Sequence, residues 1–322
     1  MTPSFTLRPM AGTDEQAILD LEMAYAQVYP GAVMVPPALY GSPYFHGGQD
    51  VFCAWDADGR LLAYAPILLQ SVQAGPAEMP HIAWSEIKAH PEVADPSPVK
   101  DALYDAVIVR AGELAAEAEA SMPSRPVRLT FEYRANEGAA VAFVLSKGLA
   151  YQESIFHMAR DLNQPILDAP APEGIQVRAW KMTTEDEQRA YVAARNACFP
   201  EAPTTLASWQ YFMQSPQWAA GTAMGAFAGD ALVGNVSVYW DEDEIRQAGK
   251  RFGYTEDIFV LADWRGRGVA SAMLSAGMRY LKAHAMQEAR LAVRALNENA
   301  LGLYLRLGYC LIEESRFYTK II

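Results

Sequence analysis

The residues best placed to do chemistry lie in the run EDIFVLADWRGRGVASAMLSAGMRYL, which begins at Glu256. An apolar strand there leads into a turn holding Arg265, Gly266, Arg267 and Gly268, and then into an amphipathic helix. A strand that delivers its end to a helix N-terminus builds an anion site. The two glycines let the backbone approach closely, and the first amides of the helix, at the positive end of its dipole, can take a pyrophosphate. The chemistry this suggests is the binding of a phosphorylated cofactor. A bare Gly-x-Gly also serves as a plain turn at a helix start, so spacing elsewhere must decide. A Rossmann site would want its glycine turn after the first strand of a domain and an acidic residue about twenty positions on. This turn comes late in the chain and its helix runs into LKAHAMQ. The P-loop pattern, HExxH and GxSxG are absent. The histidines, His46, His81, His90, His157 and His284, are too scattered to suggest a metal site, and none is expected.

The elements that must position this segment form a mixed α/β order. A strand near 174 to 179 is followed by helices near 184 to 197 and 204 to 213. Strands come next near 222 to 228, 231 to 240 and 254 to 261, then a helix from about 268 to 283, a strand at 290 to 294, a helix at 298 to 307 and a final strand. The long helix presents Ala270, Met273, Leu274, Gly277, Met278 and Leu281 at helical spacing, which makes them core.

The chain of 322 residues is about twice the size of one domain. Its halves begin alike, FTLRPMAGTDEQAILDL from Phe5 against IQVRAWKMTTEDEQRAYVA from Ile175. DGRLLAY from Asp58 matches AGDALVGN from Ala228, and NEGAAVAFVLSKGLAY from Asn136 matches NENALGLYLRLGYCL from Asn297. Three matches in one order at a near-constant shift indicate a duplicated domain. The proline-rich stretch DLNQPILDAPAPEG places a linker at 163–173, between a first domain at 1–162 and a second at 174–322. Composition narrows the function. With 51% hydrophobic residues the chain is globular, and a net charge of −12 disfavours nucleic acid and anionic membrane surfaces as partners. Cys53, Cys198 and Cys310 are widely spaced, the start MTPSFTLRPMAG shows no basic and apolar leader pattern, and no apolar run is long enough to span a bilayer. A soluble cytoplasmic protein is expected.

RGRGVA at Arg265 to Ala270 resembles the R/Q-x-x-G-x-G/A acetyl-coenzyme A motif of the GNAT acetyltransferase superfamily, with Val260 placed before it as in that family. NENALGLYLRLGY, Asn297 to Tyr309, resembles the N-x-x-A-x-x-L-Y-x-x-x-G-F/Y run after the fifth strand of these enzymes. The resemblance covers 174 to 322 and implies two GNAT-like acyl-CoA N-acyltransferase domains in tandem. It further implies an acetyl-CoA-dependent N-acetyltransferase that acts on a primary amine of a small molecule, polyamine-like in one reading, by direct attack on the thioester.

The resemblance also implies roles. EDIFV is similar to the E-D-x-F-V run of polyamine-type members, which makes Glu256 the general base, with Asp257 the second candidate. Alternation puts these two on opposite faces, but the family commonly has a bulge in this strand, so parity does not choose between them. The backbone of Ile258, Phe259 and Val260 would pair with the pantetheine arm. Arg265, Gly266, Arg267, Gly268, Val269, Ala270 and Ser271 would hold the pyrophosphate. Tyr304 would protonate the departing thiolate. Asn297 would contact the cofactor, or cap the helix that follows it.

The first half departs from the pattern. After the strand at about His81 to Lys88 comes AHPEVADPSPVKDALYDAV, with no cofactor turn, and Phe143 or Val144 stands where the second half has Tyr304. It reads as a degenerate copy that completes the substrate cleft or stabilises the pair. The acceptor is expected near Phe199, Trp209, Tyr211 and Phe212. The acidic run Asp241 to Glu244, in the connection between two strands, could attract a cationic acceptor or be a solvated loop. Tandem halves also occur in mycothiol synthases, which acetylate a sugar-linked cysteine amine. A non-catalytic acetyl-CoA sensor is the alternative from another class.

Overall fold

The computed structural model describes residues 5–32, 34–72, 78–120, 123–200 and 203–322; Met1 to Ser4, the start of the leader region considered above, lie outside them. The chain forms two units, Met1–Ser154 with Glu313–Ile322 (unit 1), and Ile155–Ile312 (unit 2).

Unit 1 contains strand β1 (Phe5–Pro9), helices α1 (Glu15–Val28) and α2 (Pro37–Tyr40), and strands β2 (Val51–Asp56), β3 (Leu61–Gln70), β4 (His81–Ser85) and β5 (Lys88–Ala89). Helix α3 (Ser97–Glu119), strand β6 (Val127–Arg134), helix α4 (Gly138–Ser146) and the first residues of β7 (Ala150–Asp161) follow. Unit 2 takes the rest of β7, then β8 (Ile175–Trp180), α5 (Glu185–Cys198), α6 (Leu206–Phe212), α7 (Pro216–Ala220), β9 (Thr222–Ala228) and β10 (Ala231–Tyr239). It continues through α8 (Glu242–Ala248), β11 (Phe252–Val260), α9 (Val269–Ala283), β12 (Glu288–Arg294), α10 (Glu298–Arg306) and the first residues of β13 (Cys310–Ile321). The strand order is β1-β2-β3-β4-β6-β13 in unit 1, with β5 on β3, and β7-β12-β11-β10-β9-β8 in unit 2. Only β4 with β6 and β11 with β12 run parallel among the pairings described. Both units are thus the same mixed α/β fold.

Each half ends in a strand that leaves it. Ile155–Asp161 of β7 pairs antiparallel with β12, and Ser315–Ile321 of β13 pairs antiparallel with β6. The divisions expected at 1–162, 163–173 and 174–322 therefore do not coincide with the units. The proline-rich stretch lies within unit 2, where Arg160 donates to the Pro165 carbonyl at 2.7 Å and Arg279 pairs with Asp168 at 2.7 Å. The physical reason is the open edge of β12, which β7 covers before the chain turns into the proline-rich stretch.

In unit 2, α9 lies across β9, β10 and β11. Met273, Leu274, Gly277, Met278 and Leu281 are buried as their spacing predicts, and Ala270 is half-buried. A Cβ on Gly277 would stand 3.0 Å from the Val238 side chain, so glycine there sets the approach of helix to sheet. The acidic run is not a loop. Asp241 caps α8, its Oδ1 accepting from the amides of Asp243 at 2.7 Å and Glu244 at 3.1 Å, and the acids that follow occupy the first turn, where the helix dipole favours them.

Because β13 supplies β6 with a partner, deleting Glu313–Ile322 is expected to raise amide hydrogen exchange along β6 by orders of magnitude while β10 and β11 stay protected. Exchange measured by mass spectrometry checks this. Unchanged protection of β6 would contradict the pairing.

Candidate functional site

The site in unit 2 begins with an irregularity of β11. Asn235 and Ser237 of β10, separated only by Val236, face Phe259 and Glu256 of β11, which are separated by Asp257 and Ile258. That extra residue is a β-bulge, and Asp257 takes a left-handed backbone with φ +44°. The bulge resets the alternation. Glu256 and Asp257, which strict parity would put on opposite faces, both line one cavity of about 230 Å³ with Arg195, Trp209, Ser237 and Tyr239. Thr204, Ser208 and Phe212 complete its lining.

The two carboxylates are held differently. Asp257 accepts from the Tyr191 hydroxyl at 2.6 Å and from Arg195 Nε at 3.2 Å. Glu256 accepts from the Tyr239 hydroxyl. Burial pushes the Glu256 carboxyl above the usual carboxylate range; the Tyr239 hydroxyl opposes this, while the charges of Asp257 and Glu244 add to it. Burial likewise raises Tyr239, and the neighbouring Glu256 reinforces the effect, so the phenol stays a donor. A half-buried carboxylate with a raised pKa beside a cavity suits proton abstraction better than one already paired with a guanidinium.

The second feature is a fork in the sheet. β11 pairs with β12 only from Phe252 to Tyr254, opposite Glu288 to Arg290. Beyond it β11 runs on to Val260 and β12 to Arg294, with no pairing between them among the described residues. The buried Thr255 sits at the fork, its hydroxyl 3.3 Å from the Arg290 carbonyl and 2.9 Å from the Tyr309 hydroxyl. One edge of Ile258–Val260 is therefore free to pair with an extended ligand. Ile258 and Val260 pack into the core beneath α9, and Phe259 packs on the other side with Tyr191 and Trp209.

The turn follows. Arg265 Nε donates to the Val260 carbonyl at 2.9 Å, which ties the turn to the strand end, and Arg267 lies over the Trp264 ring. Gly266 and Gly268 have φ +73° and +89°, conformations that glycine adopts without strain, and a Cβ at either would meet nothing within 4 Å. The space above both is open. Gly268 caps α9, whose first amides lack intrahelical acceptors at Val269, Ala270 and Ser271. This geometry fits a pyrophosphate. Tyr304 is buried in α10 in the same core cluster as Val260 and Val269, and burial pushes its hydroxyl up to about 12, so it holds its proton at neutral pH. It does not line the carboxylate cavity. Asn297 caps α10, its Oδ1 accepting from Ala300 N at 3.2 Å.

Of the aromatic residues expected at the acceptor, Trp209 and Phe212 line the cavity. Phe199 instead packs edge-on against Phe259, and Tyr211 is 70% exposed. Sequence reasoning missed Tyr191, Arg195, Ser237 and Tyr239. Tyr191 and Arg195 stand four apart on α5, a spacing that puts them on one face. Tyr239 could be placed against Glu256 only once the bulge fixed the register. In unit 1, Leu149 N bonds to the Val144 carbonyl just as Tyr309 N bonds to that of Tyr304, so Val144 occupies the tyrosine position. Among the described residues no group of His, Cys, Asp and Glu could hold a metal, and no helix is long and apolar enough to cross a membrane.

Residues 180–309 match the family model described as Acetyltransferase (GNAT) family. A mycothiol acetyltransferase of Salinispora arenicola is 27% identical over 177 residues, which cover 53% of this chain and 56% of that protein. The chain spans about half the length of the curated relatives it matches. Among solved structures, a GCN5-related N-acetyltransferase from Sphaerobacter thermophilus superposes with a TM-score of 0.73 at 23% identity, covering 98% of this chain and 95% of that one. A tandem GNAT protein from the clavulanic acid biosynthesis pathway, without acetyl-CoA, gives 0.67 at 17% identity over 99% and 98% of the two chains. These two likenesses are of fold. Residues 180–309 are thus similar to the GNAT acetyltransferase family, and the two units share the fold of tandem GNAT proteins.

Proposed function

We propose that unit 2 transfers an acetyl group from acetyl-CoA to the primary amine of a small molecule, with Glu256 as general base. The observation that carries this reading is the meeting, on one strand, of a carboxylate cavity with a free backbone edge that runs into a glycine turn. Acetyl-CoA supplies the activated thioester. Its pantetheine arm fits the open edge of Ile258, Phe259 and Val260, where a backbone N–H would donate to the thioester carbonyl. Its pyrophosphate fits the turn and helix start, Arg265 to Ser271, with Asn297 near the pantetheine or phosphates as well as capping α10.

An alkyl amine has a pKa near ~10 and reaches the site protonated. Glu256 takes that proton, directly or through water, and Tyr239 holds the carboxylate in place. Asp257, paired with Arg195, lies beside the place of the incoming ammonium, and Trp209 and Phe212 supply an aromatic wall. Tyr304 gives its proton to the departing sulfur. A thiol pKa near ~8.5 makes thiolate a tolerable leaving group, so this last step is the more dispensable one.

The cavity holds a small amine or the amine-bearing end of a larger one. A mycothiol-type acceptor, whose cysteinyl amine is linked to a sugar, is the second reading, favoured by the likeness to mycothiol acetyltransferases. Comparing kcat/KM for simple alkyl amines with that for a sugar-linked cysteinyl amine separates the two.

Glu256→Gln is expected to lower kcat by about 10²- to 10⁴-fold, and Tyr304→Phe by about tenfold, with acetyl-CoA affinity little changed in both. Steady-state kinetics with calorimetric binding checks this; full turnover in both variants would contradict the assignments. The acid limb of kcat/KM should lie above the ordinary carboxylate range, activity falling as pH drops through the Glu256 pKa. Tyr239→Phe removes a donor that lowers that pKa, so the limb should move to higher pH by about one unit. A limb that stays put or moves down in the pH–rate profile would exclude Glu256 as the base.

A further inference from the structure

Unit 1 has a cavity at the position that corresponds to the carboxylate cavity of unit 2. The β2–β3 hairpin skips one residue at Leu62, and the β9–β10 hairpin skips one at Val233, so matching these irregularities aligns the two hairpins. Pro66 then corresponds to Ser237, and Leu68 to Tyr239. The pairs Tyr64–Lys88 and Ile67–Ser85 are in one register, which places Glu86 opposite Pro66. Opposite Ser237 stands Glu256. Glu86 is therefore the positional counterpart of Glu256, and the bulge residue Asp257 has none in unit 1.

Glu86, Pro66 and Leu68 line a cavity of about 180 Å³ walled by Tyr40, Phe45 and Trp84. At about 30 Å³ per water-sized group this holds roughly six non-hydrogen atoms. Glu86 is not poised as a base. It accepts from Lys88 Nζ at 3.0 Å, Tyr40 at 3.2 Å and Tyr64 at 3.3 Å. Lys88, 1% exposed, also lies 2.8 and 3.0 Å from the two oxygens of buried Glu22. Burial raises the Glu22 carboxyl, the Lys88 charge opposes this, and the neighbouring Glu86 adds to it. A further carboxylate at the cavity, Glu132, has Arg134 at 3.3 Å. Glu22, Glu86, Glu132 and Glu313 thus share the two cations Lys88 and Arg134, so acidic groups outnumber basic ones around the cavity, and Tyr40, Phe45 and Trp84 wall it.

We propose that unit 1 binds a small protonated alkylamine in this cavity and does not acylate it. The charge count and aromatic walls select a cation, the volume selects a short chain, and the choice of an amine among cations rests on the proposed function of unit 2. Acylation is disfavoured by the occupied carboxylate and by the entry to α3, which carries Pro91 and Pro96 before the helix and Pro98 in its first turn in place of a glycine turn. The duplicated half is in this way a ligand site that reads amine concentration.

The test is fluorine NMR of the full chain labelled with 5-fluorotryptophan, the Trp84 signal being assigned with Trp84→Phe. Adding n-butylammonium chloride should shift the Trp84 signal saturably, and n-butanol should not. Glu86→Gln should weaken the titration about tenfold or more. Leu68→Phe, which fills the cavity and leaves the buried ion pairs intact, should abolish it and keeps the test valid if the first variant fails to fold. A Trp84 signal that does not move, that moves equally with n-butanol, or that still titrates in Leu68→Phe would overturn the proposal. The readout involves no acetyl transfer, so failure here is distinct from failure of Glu256 as the base of unit 2.

Discussion

Strand β11 is hydrogen-bonded on both edges only as far as Tyr254. From Thr255 onward it keeps β10 on one side and, among the described residues, has no strand on the other. A buried strand edge is costly to leave unpaired, and here Thr255 anchors the fork through its side chain while Arg265 takes up the Val260 carbonyl at the strand end. The free edge, the bulge at Asp257 and the glycine turn all lie within 14 residues, Thr255 to Gly268. Because one rigid strand carries them, a carboxylate cavity and an extended binding edge are fixed relative to each other without depending on mobile loops.

The bulge does two things. It rotates Asp257 into the cavity beside Glu256, and it leaves the two acids in unlike surroundings, one paired with Arg195 and one bonded only to a phenol. Two neighbouring carboxylates with different partners can divide the work, the one with a burial-raised pKa, Glu256, serving as proton acceptor. Unit 1 shows what the same hairpin becomes without the bulge. Its single carboxylate at that place, Glu86, is drawn onto a buried lysine, and its tyrosine counterpart on α4 is Val144. The scaffold is common to both units, while the bulge and the tyrosine are found in unit 2.

What could be read from the sequence was whatever depends on local spacing. The apolar face of α9, the turn Arg265 to Gly268 and the Asn297 to Tyr309 run each sit on one element, and their periods mark them directly. What could not be read depends on partners distant in sequence. The fork at Tyr254 reflects where β12 diverges, and the bulge is visible only in the register with β10. The strand exchange escaped notice because β7 and β13 follow similar helices and have similar alternation, so nothing local says which β6 or β12 each will join. The helix over Glu242–Ala248 has one large apolar residue, Ile245, and so no apolar period to mark it; the cap at Asp241 sustains it.

Under the proposed function, the forked strand and glycine turn of unit 2 hold one acetyl-CoA and unit 1 holds none. Calorimetric titration of the full chain with acetyl-CoA measures this most directly. The expected result is one site per chain, lost in Gly268→Glu, where a side chain would fill the open space above the turn. Two sites, no site, or a single site that survives Gly268→Glu would contradict it.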